Sequence, residues 1–84
     1  MNELKYNIVQ NKRNPDWIRA IVFNGLIGHI EMQPKEWIVI SAGFCDLSIG
    51  QVKVYGRSDS LNLDSRKEDE DIIWKTLHKC NGYM

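Results

Sequence analysis

Eighty-four residues with a formal net charge of zero describe one small domain, 1–84. A chain of this size buries only about 60–65% of the surface its unfolded form exposes, so its core is thin and leaves no room for a cleft between domains. Charge neutrality argues against a nonspecific nucleic-acid binder, whose surface is usually basic.

The longest apolar stretch, Trp37 to Cys45, is too short to span a membrane. Met1 to Asn7 contains no apolar signal-peptide core. The two cysteines, Cys45 and Cys80, lie far apart and read as reduced, half-buried hydrophobes, since a secreted domain this small usually carries a denser disulfide framework. The expected location is therefore cytoplasmic. Abundant isoleucine, lysine and asparagine beside scarce alanine and proline match an AT-rich genome, such as many phages have. Both ends close on recognisable elements, so the chain reads as self-contained.

In chain order, Leu4 to Gln10 alternates weakly and predicts a strand, followed by a polar loop from Asn11 to Asp16 that Pro15 helps break. Trp17 to Met32 predicts a hairpin about Asn24-Gly25, because both residues accept the positive φ of a type I′ turn. That register puts Trp17, Arg19, Ile21 and Phe23 on one face with Leu26, Gly28, Ile30 and Met32. The other face takes Ile18, Ala20, Val22, Ile27, His29 and Glu31.

Gln33 to Glu36 is the next turn, with Pro34 at its first corner. Trp37 to Phe44 is apolar on both faces, which places it in mid-sheet or under a cover. Cys45 to Gln51 reads as a loop closed by Gly50, and Val52 to Tyr55 as a half-exposed strand. Gly56 to Asp64 reads as a connection. Ser65 and Glu68 fit a capping box, and Glu68 to Asp71 place negative charge where a helix dipole favours it. Ile72, Ile73, Thr76, Leu77 and Cys80 then cover one arc at helical spacing, with Gly82 as the cap. The predicted class is α+β: an antiparallel β-meander of about five strands with one C-terminal amphipathic helix packed on one face.

No motif carries obvious chemistry. No serine has a local His–Asp partner, and no paired carboxylates sit in apolar surroundings, so no catalytic residue, cofactor or enzymatic activity is expected. His29 and Glu31, two apart on the predicted strand, lack the further ligands a metal needs. Arg57, Ser58 and Ser60, after Gly56, are the candidate cradle for an anionic small ligand or nucleotide. A strand-to-helix turn needs the same residue types. Lys12 and Arg13 could touch phosphate, and the acidic stretch at the helix start could engage a basic partner.

Trp74 and His78 fall beside the apolar arc, with Lys67 and Asp71 on the same flank. Three tryptophans compete for a small core, and aromatic residues left outside mark interfaces. The leading expectation is thus a small intracellular protein-interaction module, of the accessory or inhibitory kind phages and mobile elements use, binding a larger protein through Trp74, His78, Lys67 and Asp71. The second is an anionic-ligand binder acting as a homo-oligomer. The third is a nucleic-acid binder. None involves a membrane.

Overall fold

The computed structural model describes the backbone of residues 3–82 and the side chains of residues 3–78. Strands β1 (Leu4–Asn11), β2 (Ile18–Asn24), β3 (Trp37–Ser48) and β4 (Gln51–Tyr55) form one antiparallel sheet in the order β2-β1-β3-β4. Two-residue strands β5 (Arg57–Ser58) and β6 (Leu63–Asp64) make a separate small ribbon, and helix α1 (Asp69–Gly82) follows. The α+β class and the single C-terminal helix are as expected. The strand order differs from a simple meander, because β1 and not β2 lies beside β3.

The predicted hairpin about Asn24-Gly25 does not form. Asn24 ends β2, and neither it nor Gly25 has a positive φ. Instead β2 turns back along β1 through the loop after Asn11, pairing Ile8 with Ala20 and Tyr6 with Val22. Strand β3 takes the other side of β1, so β2 and β3 run parallel and residues 25–36 must cross over β1 between them. Parallel strands of one sheet require such a crossover, of about a dozen residues. Here it contains a 3-10 turn, His29–Glu31, in place of the expected second strand.

Asn7 explains what holds the crossover down. Fully buried in mid-strand, it donates from Nδ2 to the carbonyls of His29 (2.9 Å) and Met32 (3.0 Å). Lys5 Nζ donates to the Ile27 carbonyl at 3.0 Å. His29 is buried edge-on against Phe23 (5.6 Å between ring centroids), and its Nε2–H donates to the Gly43 carbonyl at 2.8 Å. His29 and Glu31, expected on one face of a strand, are thus parted: His29 is turned into the core. Glu31 is exposed and its carboxylate accepts the N–H of Gly28.

Gly25 is required by close approach and not by φ. A Cβ there would sit 2.5 Å from the Glu3 carbonyl oxygen, which accepts the Gly25 N–H at 3.0 Å. Gly25→Ala should already cost about 1–3 kcal/mol in urea unfolding, since the clash is with the first side-chain carbon. A change within about 0.5 kcal/mol would show that this contact does not hold in solution.

The opposite sheet face carries the main core. Tyr6, Ile8 and Cys45 pack with Ile73 of α1, flanked by Ala20, Val22, Val54 and Ile72. Burial pushes the unpaired Cys45 thiol up to about 11, with Asp46 adding to the shift. Cys80, expected on the same arc, lies outside the described side chains. Strand β3 continues through the segment read as a loop, and reverses at Ile49-Gly50, where Gly50 has φ 71°.

The carboxylate that caps the helix start is one residue later than in the expected box, and α1 itself begins at Asp69. Asp69, not Glu68, reaches back: its Oδ2 accepts the backbone N–H of Arg66 at 2.9 Å. The reason is tertiary. Asp69 is fully buried and also accepts from the hydroxyls of Tyr6 (2.6 Å) and Ser41 (2.9 Å), while Arg66 Nη2 lies 2.9 Å from Oδ1. Burial first, and then the bond to Asp69, push the Tyr6 pKa well above the ordinary phenol range, so the hydroxyl stays a donor. Ser65 instead gives its backbone N–H to the Gly56 carbonyl.

Candidate functional site: a groove beside the helix

One turn of α1 meets the tip of the β3–β4 hairpin without closing against it. The opening is a groove of about 450 Å³, walled by Leu47, Gly50 and Val52 on one side and by Trp74, Leu77 and His78 on the other. Alternation builds the first wall. Leu47 pairs with Val52, so both side chains share the face that α1 covers. Helical spacing builds the second, since residues three and four apart fall on one side.

Trp74 and His78 stack with ring centroids 3.7 Å apart and planes inclined by 33°. The Nδ1–H of His78 donates to the Trp74 carbonyl at 2.8 Å, because a carbonyl can only accept. Nε2 is then the nitrogen of the neutral ring able to accept. The stack braces the indole, which keeps 38% of its surface exposed, as does Leu47. Ile49 at the hairpin tip is fully exposed. A braced, half-exposed indole beside two exposed aliphatic side chains loses little conformational entropy when another surface covers it.

The structure brings together only part of the expected flank. Asp71 lies one turn before Trp74 and is held by Lys75 at 3.0 Å. Lys67 precedes α1, lies outside the groove lining and pairs with Glu70 at 2.9 Å. Among the described side chains, no carboxylate, ammonium or guanidinium lines the groove.

The Arg57, Ser58 and Ser60 segment has the geometry of a closed turn. The Arg57 guanidinium is held by Asp59 (3.3 Å), by Asp64 (3.6 Å) and by the side-chain oxygen of Asn62. Ser58 is fully buried, and its hydroxyl accepts the Leu61 N–H at 3.2 Å and lies 3.3 Å from Ser60 Oγ. An incoming anion would have to displace both carboxylates from Arg57. Asn62, at φ 56°, completes the turn between β5 and β6. At the other end, Arg13 pairs with Glu36 at 3.6 Å, which takes one charge from the Lys12–Arg13 loop.

Sequence reasoning reached Trp74 and His78 through helical spacing but missed the facing wall. The signal for it was present: Leu47 stands at the right alternation from Cys45 and ahead of Gly50. Among the described residues, no group of three or more His, Cys, Asp or Glu could hold a metal ion, and no helix is long and apolar enough to cross a membrane. Comparison of the chain with family models, with curated proteins and with solved structures finds no match.

Proposed function

We propose that the chain is a small intracellular protein-interaction module that docks a larger partner protein through the groove between α1 and the β3–β4 hairpin. The carrying observation is the exposed apolar set of Trp74, Leu47 and Ile49 around that groove. Contiguous exposed apolar surface on a small domain marks an interaction site. Because the described lining bears no formal charge and exposes Leu47 and Trp74, the complementary occupant is apolar: an aliphatic or aromatic side chain presented by the partner. Such a protein acts by occupying its partner's surface, as compact accessory and inhibitory proteins of phages and mobile elements do.

Trp74→Ala tests the reading. An aromatic anchor typically carries about 2 kcal/mol or more of binding, or roughly a 30-fold loss of affinity on truncation. The melting temperature should fall less than for Ile73→Ala, because Trp74 is only partly buried. The supporting result is a protein captured by the wild type and by Ile72→Ala but lost by Trp74→Ala. Normal capture by a Trp74→Ala protein that melts far earlier would make Trp74 a packing residue and remove the groove from consideration. A thermal shift with nucleotides that disappears in Arg57→Gln would instead favour the anionic-ligand reading.

A further inference from the structure

We propose that Thr76 and Glu70 are edge stops, through which α1 keeps the open edges of the sheet from pairing with a second copy of the chain. In the order β2-β1-β3-β4, no strand among the described residues pairs with the outer side of β2 or of β4, so both are open edges. Open edges present rows of unpaired N–H and C=O groups, a template for adding another strand.

The outward groups follow from the register. Asn11 donates to the Trp17 carbonyl, so pairs in step with it point inward, and Ile18, Ala20, Val22 and Asn24 alternate outward. The two-residue turn after Ser48 makes Ser48–Gln51 a hydrogen-bonded pair, which turns Val52 and Val54 outward.

One outward amide on each edge is taken by a helix side chain. The Ala20 N–H donates to Thr76 Oγ1 at 3.1 Å, and the Val54 N–H donates to Glu70 Oε2 at 3.1 Å. Ala20 lies in the middle of the β2 row, and Val54 is one of only two such positions on β4. An added strand needs consecutive outward groups, so one occupied position interrupts each row. Lys67 holds the Glu70 carboxylate at 2.9 Å. That bond, and then the Val54 N–H, keep the Glu70 pKa below the ordinary carboxylate value, so the acceptor persists at neutral pH. Six residues apart, Glu70 and Thr76 reach opposite edges because α1 packs against both β2 and β4.

The test is the mass of the full chain in solution across a concentration series, with amide exchange read at Ala20 and Val54. Thr76→Val keeps the shape and removes the acceptor, and Glu70→Ala removes the other. One released edge closes on itself as a symmetric pair, so each single variant should double in mass where the wild type stays monomeric. The double variant has two released edges and should form larger assemblies. Thr76→Ser and Glu70→Gln retain an acceptor and should remain monomeric. Ile73→Val separates edge release from simple destabilisation and should also stay monomeric. Monomeric single and double variants with faster exchange at Ala20 and Val54 would overturn the proposal. So would association of Ile73→Val to the same extent, or a wild type already paired through these edges.

Discussion

Asp69→Ala is expected to remove a large part of the chain's folding stability. The carboxylate is fully buried and receives the Tyr6 and Ser41 hydroxyls, the Arg66 backbone N–H, and the Arg66 guanidinium. Alanine leaves two buried hydroxyls without their acceptor and leaves Arg66 only its longer contact with Glu68, at 3.4 Å. An unsatisfied buried donor costs about 1–3 kcal/mol, and losing a hydrogen bond to a charged group about 1.5–3 kcal/mol. These contributions share one residue and do not add, so the net expectation is about 3–5 kcal/mol. A domain of this length has roughly 4–12 kcal/mol of stability in total. Equilibrium urea unfolding followed by tryptophan fluorescence measures the loss. A loss below about 1 kcal/mol would mean that water replaces the missing oxygens and that the node is not dry.

Ile73→Ala is the second large effect. Ile73 is the one fully buried apolar side chain that α1 contributes among the described residues, and it packs with Tyr6, Ile8 and Cys45. Truncation loses the transfer energy of the removed carbons and opens a cavity, together about 2–5 kcal/mol. The neighbouring Ile72 is only half-buried, so Ile72→Ala should cost less. Thermal melting of the two variants side by side checks the ranking. Equal losses would mean that the helix has rotated about its axis, bringing Ile72 into the core. Because Ile73 and Trp74 are adjacent on the helix but face different surroundings, this pair of measurements also sets the scale for the Trp74→Ala experiment.

How much of this was legible from residues alone depended on the range of the forces involved. Leu4 to Gln10, Val52 to Tyr55 and the arc of Ile72, Ile73 and Leu77 were legible because alternation and helical spacing are local geometry. Trp74 and His78 were found the same way. The Asn24-Gly25 signal failed although both residues suit a tight hairpin. Strand β1 offers β2 a partner through the loop after Asn11, and β3 then claims the other side of β1. That leaves residues 25–36 to cross the sheet, and Gly25 serves a close contact with Glu3. The overlooked signal was Asn7, a polar residue in the middle of an apolar strand, whose two N–H donors bind the crossover.

The sequence by itself determined the α+β class, the C-terminal helix and its buried arc, because each residue's backbone preference and burial tendency act within a few positions along the chain. The strand order, the helix start at Asp69 and the groove were decided only by tertiary structure. Strand pairing is a competition among distant partners for the same backbone groups. The capping carboxylate moved from Glu68 to Asp69 because Tyr6 and Ser41, far away in sequence, supply buried donors that Asp69 accepts. The groove forms where Leu47 and Val52 of the β3–β4 hairpin stand opposite Trp74 and His78 of α1.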